Sequence, residues 1–525
     1  MTPINAAQEI LRPARERGYD AQPVLIAGDR TISYRELTAM VNRAGNALRT
    51  LGVARGDRVL MMLNDSAELV CAYLGAMRIG AVAIAFNTRS SPAELEFALN
   101  DSRARALLID EEYLERYRSI AARLVDRPAV AVAGGLHADF AQLGRLIAAA
   151  SAALAFEPMA PEEMAFWIYT SGTTGTPKAA VHAHRDVLSA GPYLEQCLGV
   201  RAGERFYSTS RLFFAYALGN CLFGAMRLGA TTILDAGWPD AASVARIVER
   251  ARPDVVFSVP TLYRNLLASG HAGEPGFAAV RAYASAGERL PAALAEHWHR
   301  TTGVRIFEGM GSSETIYMVC SNSAAAYRPG SSGKLAPGAE VRLIDEHGEP
   351  VSEPGRIGTL WVRMASASER YWNQPEITQR VFVESWFRTG DLYSFDTDGF
   401  WYHHGRADEM LKISGQWVSP VEIEECAATV PDIAEAAAVG IPNRDGLVRL
   451  ALAVVARSGA ADRERLAAEL RATLTSHLSI YKCPRDIRFV ERLPRTATGK
   501  LQRFRLCQEL SGGAAAGGGS DGTDQ

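Results

Sequence analysis

The chain has 525 residues, 48% hydrophobic and 22% charged, with 56 Lys and Arg against 59 Asp and Glu. That length exceeds a single compact core, so two or more domains are expected, and the ordinary composition excludes wholesale disorder, a collagen-like repeat and a coiled coil. A net charge of −3 gives no electrostatic case for a nucleic-acid or membrane-surface partner.

Charges interrupt MTPINAAQEILRPARERGYD where a signal peptide needs an apolar core, and no run approaches the ~18 apolar residues of a membrane helix. From Thr31 to about Asp110 helical and strand-like stretches alternate. YRELTAMVNRAGNALRTLG repeats apolar residues at three- and four-residue intervals, RVLMML is a short apolar run, and AELVCAYLGAMRIG is helical again. AVAIAF and ALLID read as buried strands. The alternation predicts βα units on a mostly parallel sheet, and it recurs at TTILDA, ASVARIVERAR and DVVFSVP. After about Val341, VRLIDEHGEPV, GTLWVRM, DLYSFDTDGFWYHHGR and MLKISGQWV read as short strands joined by Gly and Asp turns. From Val421 to about Leu510, the helical VEIEECAATV and DRERLAAELRATLTSHL with the strand-like EAAAVGI and LALAVVA predict a small α+β domain. GGAAAGGGSDGTDQ reads as a flexible tail. The cysteines, Cys71, Cys197, Cys221, Cys320, Cys426, Cys483 and Cys507, form no CxxC pair and read as reduced thiols of a cytoplasmic protein.

The most informative segment is Tyr169–Lys178, YTSGTTGTPK, which follows the apolar MAFWI. Glycines let backbone amides approach an anion, hydroxyls donate to phosphate oxygens, and lysine supplies charge. It is not a P-loop of the GxxxxGK[ST] type, because Pro177 stands before Lys178 and Ala179 follows it. A generic loop of this composition is structural most of the time.

This segment resembles the signature of the adenylate-forming (ANL) superfamily, which includes acyl-CoA synthetases, luciferases and adenylation domains. Further matches follow in the family's order. SAGERLP (Ser285–Pro291) resembles the segment bordering adenine, GSSE (Gly311–Glu314) the GxTE motif, and TGD (Thr389–Asp391) the ribose motif. DGFWYHHGRADEMLKISGQWVSPVEIE (Asp398–Glu424) resembles GRxDDxxKxxGxxVxPxEIE, and LPRTATGKLQR (Leu493–Arg503) the C-terminal lysine motif. Singly, each has a plain structural reading; five in one order do not coincide by accident.

The resemblance implies an α/β fold: a large N-terminal ATP- and acid-binding domain (1–405) of βα layers with a β-rich subdomain, a hinge (406–409), and a small mobile α+β domain (410–510) before a disordered tail (511–525). It assigns Thr170, Ser171, Gly172, Thr173, Thr174, Gly175, Lys178, Gly287, Glu288, Ser313, Asp391 and Arg406 to the nucleotide, and Glu314 to Mg2+. Lys500 is the implied catalytic lysine, Asp408 the hinge, and Gly415 with Trp417 the passage for coenzyme A. RLFFAYALGN (Arg211–Asn220) resembles the FFAYGLGN of benzoate-type CoA ligases, placing Ala215, Tyr216, Ala217, Gly311 and Tyr317 around the acid. Four positions depart from the usual pattern: Ala217 for glycine, Tyr317 for histidine, Met310 for an aromatic residue, and Ala179 for glycine.

The implied reaction joins a small aromatic or cyclic carboxylic acid to CoA at the expense of ATP, through an acyl-adenylate. Benzoate, hydroxybenzoates and furoate all suit the pocket; bulky Phe213, Phe214 and Tyr216 argue against long fatty acids, and Ala236 and Gly237 offer no carboxylate to an amino acid's ammonium. The alternatives are a stand-alone aryl adenylation enzyme that loads a carrier protein and, ranked last, a non-catalytic nucleotide-binding protein. A homodimer is expected from family habit alone. The basic run Lys482, Arg485, Arg488, Arg492, Arg495, Lys500, Arg503 and Arg505 reads most simply as a solvated face.

Overall fold

The computed structural model describes residues 2–171, 177–413, 416–442, 448–457, 462–495 and 501–512. Two sheets dominate the part before residue 340. One has seven strands in the order Ala141–Gln142, Ala129–Ala133, Ala106–Asp110, Arg58–Met62, Val82–Ala85, Met164–Ser171, Pro177–Ala183. All of its pairings are parallel except the last, an antiparallel pairing of Met164–Ser171 with Pro177–Ala183. The other has nine strands, with a parallel centre built from Ile306–Gly311, Ala282–Ser285, Val255–Ser258, Arg205–Ser208, Thr231–Leu234 and Pro23–Ala27. Continuous apolar runs such as Val82–Ala85 and Val255–Ser258 are buried along their whole length, as strands covered on both faces must be.

Helices pack between these strands as the periodicity predicted. Tyr34–Thr50 opens with a capping box formed by Ser33 and Glu36. Ala67–Arg78 is buried on nearly every side, so its sequence shows little polar face. The two helices cross where a Cβ on Gly75 would lie 2.8 Å from the backbone nitrogen of Gly45, a contact only glycine permits.

A six-stranded sheet follows within residues 340–406, and it includes the long strand Trp386–Phe395 and its neighbour Trp401–Arg406. Further on, Ile433–Pro442 and Val448–Ala456 form an antiparallel pair, joined in parallel by Asp486–Phe489, with helices Pro420–Ala428, Arg463–His477 and Arg503–Gly512. Apolar side chains cover both faces of this small sheet: Ile423, Leu466 and Leu470 on one, Leu493, Leu506 and Leu510 on the other. The α/β class, the β-rich segment and the small α+β region all match the sequence reading.

Contact density divides the chain into two units, Met1–Arg342 with Trp361–Arg388 and Asp398–Trp401, and Leu343–Leu360 with Thr389–Thr397 and Tyr402–Gln525. The units interleave along the chain where the expectation was one division at 406–409. Hairpin pairing accounts for the second unit's composition: Leu343 pairs with Val351, and the Thr389 hydroxyl donates to the Leu360 carbonyl at 2.9 Å. The last helix reaches Gly512, two residues into the expected tail, because Leu510 is buried and its carbonyl accepts from Arg488.

Candidate active site

The phosphate-type loop joins two paired strands. Thr170 lies opposite Lys178, and Ser171 opposite Pro177, so both ends of the loop are fixed by the sheet. Gly172, Thr173, Thr174 and Gly175 lie outside the described residues. Trp372 N–H donates to the Ala179 carbonyl at 2.9 Å, and Ala180 forms a bridge with Tyr371. This seam brings the segment Ser366–Trp372 against the lysine strand: Lys178 Nζ stands 5.8 Å from the centre of the Tyr371 ring.

Tyr371 in turn donates its hydroxyl to Glu314 Oε1 at 2.6 Å, while Ser368 N–H donates to the Glu314 carbonyl at 2.7 Å. The Ser312–Thr315 turn is closed internally, with Ser312 N–H on Thr315 Oγ1 at 3.1 Å and Ile316 N–H on the Ser312 carbonyl at 3.0 Å. Ile316 leaves the turn at φ +57°, a left-handed conformation costly for a β-branched side chain. Lys178, Tyr371 and Glu314 are thus assembled as one cluster, with Ser313 beside it. Among the described residues no three His, Cys, Asp or Glu side chains gather as a metal site. Among the described residues no hydrogen bond reaches Glu314 Oε2, a hard oxygen donor suited to Mg2+ shared with phosphate oxygens.

Near the expected adenine segment, Gly287 adopts φ +89° with open space where a Cβ would lie, and Glu288 accepts from Thr261 at 3.2 Å. Glu308, paired in register with Ser285, is buried, and burial pushes its carboxyl up to about 8 against the pull of the Leu290 amide and Arg289. Its Oε2 has no hydrogen-bond partner.

The acyl segment forms a short helix, Ala215–Ala217, that continues into a π-helical stretch, Leu218–Gly224. Such turns recur at functional sites. Ala215 and Ala217 share one apolar cluster with Tyr317, whereas Tyr216 faces another and meets Phe257 edge to face at 5.7 Å. The four residues therefore do not converge on one face of the helix. A Cβ on Gly219 would fall 2.6 Å from the Ile316 carbonyl oxygen and 3.2 Å from the Tyr317 ring, so glycine lets Tyr317 lie against the helix. Gly311 is similarly close to the chain: a Cβ there would lie 3.0 Å from the Tyr317 carbonyl oxygen. The hydroxyls of Tyr216 and Tyr317 are buried with no hydrogen-bond partner among the described residues, and burial drives both far above the ordinary phenol range.

Behind this helix Arg211 donates to the carbonyls of Asp235 and Gly237 and, at 3.9 Å, faces Asp65. Asp65 accepts Leu212 N–H at 3.1 Å, and burial pushes its carboxyl up to about 6 despite Arg211. The Ala236 and Gly237 carbonyls are thus committed to Arg211.

In the second unit Arg406 Nη1 donates to the Thr389 carbonyl at 2.8 Å and to Asp391 Oδ1 at 3.3 Å, and its Nε donates to Asp408 Oδ1 at 3.1 Å. Burial works against the guanidinium charge, but Asp391 and Asp408 outweigh it and hold the group above its ordinary range. Gly390, at φ +77°, leaves room for that guanidinium. Lys500 and Gly415 lie outside the described residues; Trp417 sits on a strand opposite Lys412. Arg495 and Leu501, on either side of Lys500, pair in an isolated bridge.

In the basic run Arg485, Arg492 and Arg505 are exposed, as a solvated face requires, while three other members are half-buried in ion pairs. Lys482 binds Glu422 at 2.7 Å and Arg495 binds Glu435 at 2.7 Å, while Arg503 is held by Glu409 at 3.1 Å and by Glu424. Tyr371, His182, Asp186, Asp65 and Arg211 were not singled out from the sequence as site residues. Their importance comes from contacts between segments far apart in the chain, for which linear spacing gives no signal.

The model of the AMP-binding enzyme family matches residues 13–372, and that of the AMP-binding enzyme C-terminal domain matches 422–500. A 3-hydroxybenzoate–CoA ligase of Aromatoleum sp. (strain CIB) is 49% identical over 510 residues, 97% of this chain and 98% of that protein. A 3-hydroxybenzoate–CoA/4-hydroxybenzoate–CoA ligase of Thauera aromatica is 47% identical over 96% of this chain and 97% of its own length. Among solved structures, an anthranilate CoA ligase in complex with anthranoyl-AMP superposes with a TM-score of 0.91 at 33% identity, covering 98% of this chain and 99% of that one. No described helix is long and apolar enough to cross a membrane.

Proposed function

The chain belongs to the AMP-binding enzyme family, and on that premise we propose that it acts as an aryl-acid CoA ligase with a hydroxybenzoate as its acid. ATP, Mg2+ and CoA are its co-substrates and cofactor. The carboxylate attacks the α-phosphate of ATP, giving acyl-AMP and pyrophosphate; the CoA thiol then displaces AMP to give the acyl-CoA. A free carboxylate is a poor electrophile because its charge repels nucleophiles and oxide leaves badly; AMP is the leaving group it lacks.

The first transition state gathers negative charge from carboxylate and phosphates, so preorganised positive charge is the main requirement. In this reading Lys178 supplies it from the strand, Glu314 holds Mg2+, and Lys500 orients the carboxylate against the α-phosphate. Mg2+ when bound neutralises phosphate charge. The hydroxyl residues Thr170, Ser171, Thr173, Thr174 and Ser313, with Gly172 and Gly175, receive phosphate oxygens, and Gly287 and Glu288 border the adenine. Asp391 accepts from the ribose hydroxyls, being an acceptor for both, with Arg406 alongside. Asp408 serves as hinge of a mobile 410–510 domain, and Gly415 with Trp417 opens the pantetheine passage. We place the enzyme in the cytoplasm, in keeping with its seven unpaired thiols.

The observation that carries the hydroxybenzoate reading is the buried Tyr317 hydroxyl, in the same cluster as Ala215 and Ala217, which has no hydrogen-bond partner among the described residues. Buried hydroxyls ordinarily find partners, and a ring hydroxyl on the acid supplies one. The test is a panel of benzoate, its hydroxy and amino derivatives, furoate, cyclohexane carboxylate and short fatty acids with ATP and Mg2+, comparing AMP release with and without CoA. CoA-dependent turnover fastest with a hydroxybenzoate is the expected outcome. Adenylate formation that stalls in the presence of CoA favours a carrier protein as acceptor, and absence of AMP with every acid removes the catalytic reading.

A further inference from the structure

Directly behind the Ser312–Thr315 turn lies a polar pair that the reaction scheme above does not use. His182, on the lysine strand, is fully buried, and its ring stacks on Phe166 at 4.8 Å with 8° between planes. Its Nδ1 is 2.9 Å from Asp186 Oδ2 and its Nε2 is 2.8 Å from the Ser313 carbonyl oxygen. We propose that the buried His182–Asp186 pair is a proton-holding brace that positions the Ser313–Glu314 peptide for MgATP, which makes both residues positioning residues. This inference rests on the reading that Ser313 and Glu314 serve phosphate and Mg2+.

Hydrogen-bond bookkeeping carries the argument. A carbonyl oxygen only accepts, so Nε2 bears a proton. Asp186 Oδ2 already accepts Ala183 N–H at 3.0 Å, and an unprotonated Nδ1 facing the same oxygen would repel it. A second proton therefore lies between Nδ1 and Oδ2. Whichever atom that proton rides on, the pair holds two protons and is neutral as a unit, which is how an aspartate can stay buried here. Arg185 Nε stands 4.0 Å from the other Asp186 oxygen, and the neutral Tyr317 phenol also faces this carboxylate.

Fixing the Ser313 carbonyl fixes the peptide plane that carries Glu314 N–H. Glu314 is then held at three points: at the preceding carbonyl by His182, at its own carbonyl by Ser368 N–H, and at its carboxylate by Tyr371. The only described donor to the Ser313 carbonyl is His182 Nε2, so removing that proton leaves a buried acceptor beside the phosphate site unpaired.

The test has two arms on the full-length protein. The first is nitrogen NMR of 15N-histidine-labelled protein without ligands between pH 6.5 and 8.5, with the His182 signals assigned through His182→Gln. A protonated Nε2 and a strongly hydrogen-bonded Nδ1 throughout that range are expected; an unprotonated Nε2 overturns the proposal. The second is His182→Phe, which keeps a ring to stack on Phe166 but removes the N–H donor to the Ser313 carbonyl. We expect the KM for MgATP to rise at least about tenfold while the KM for the aryl acid stays within about twofold. An unchanged KM for MgATP overturns the brace. Should His182→Phe fail to fold, the wild-type NMR alone decides. Glu314→Gln separates the two readings: retained adenylation there refutes the Mg2+ assignment, while the NMR arm still judges the proton arrangement.

Discussion

In the large unit the cluster around Glu314 and the cluster around Tyr317, which we propose as the nucleotide wall and the ring wall, are built on opposite principles. On the nucleotide wall the polar groups are committed to one another: Tyr371 to Glu314, Ser368 to the Glu314 carbonyl, His182 to Asp186 and Ser313. The proposed ring wall of Ala215, Ala217 and Tyr317 is apolar apart from the Tyr317 hydroxyl, which no described residue satisfies. Preorganised polar geometry suits ATP, whose charge pattern never varies. An apolar wall with an open hydroxyl leaves part of the recognition to the ligand, and discrimination there is correspondingly small, about 1–3 kcal/mol for a methylene-scale change.

The contrast is broken most sharply by removing the charge assigned to the first half-reaction alone. Lys500→Ala is expected to lower acyl-adenylate formation about 100-fold or more while sparing thioester formation from supplied acyl-AMP. Measuring the half-reactions separately decides it, and an equal loss in both removes the assignment of Lys500 to adenylation alone.

Next in size is Tyr371→Phe. A hydrogen bond to a charged carboxylate contributes about 1.5–3 kcal/mol, so the Mg2+ concentration for half-maximal activity should rise about 10- to 100-fold. Substrate affinity for the aryl acid should not move, because the hydroxyl serves Glu314. A shift in aryl-acid KM instead would mean that the two walls are coupled.

His184, two residues beyond His182, is a buried neutral imidazole off that wall, and it contributes to stability rather than to nucleotide geometry. Its Nδ1 accepts Ala6 N–H at 2.9 Å, and burial drives its pKa down to about 4. The unfolded chain takes up that proton near pH 6.5 and the folded protein only near 4, so the stability it contributes is present above the unfolded value and is lost as pH falls between them. At pH 5 the loss relative to pH 7.5 is about 2 kcal/mol. In urea melts at the two pH values His184→Gln should lack this increment. Asp65 and Asp110, both raised to about 6 by burial, act in the opposite sense but equally in both proteins.

How far the sequence disclosed these walls follows from how local each one is. The segment from Thr170 to Lys178, the turn Gly311–Glu314 and the strand bearing Asp391 are continuous motifs, although Thr170 and Lys178 themselves lie on strands where a loop was expected. Tyr371 is 57 positions from Glu314, and His182 is 131 from Ser313, so no periodicity links them. The split of Tyr216 from Tyr317 was equally hidden, since it depends on the π-helical turn and on the left-handed Ile316. The interleaved units arise from strand pairing between residues 343–360 and 389–397, which chain order does not announce.

On the ring wall Tyr317→Phe removes one neutral hydroxyl, a loss of about 0.5–1.5 kcal/mol when a ligand hydroxyl occupies it. The ratio of kcat/KM for a hydroxybenzoate over benzoate should fall by up to about tenfold. An unchanged ratio for every hydroxy isomer removes Tyr317 as the partner of a ring hydroxyl.

The smallest effect is the most informative about the wall's shape. Ala217 is fully buried and carries the one methyl by which this segment departs from the benzoate-type pattern. Ala217→Gly removes about 0.8 kcal/mol of apolar contact and weakens the short helix by about 1 kcal/mol. If the methyl lines the ring, the variant should gain up to about fourfold in kcat/KM for bulkier ring acids relative to benzoate, with the KM for MgATP unchanged. If the methyl packs only into the protein, all acids should decline together. A parallel decline would place the specificity of this wall in its hydroxyl rather than in its width, and the hydroxy-isomer preference would then be the only ring discrimination the segment supplies.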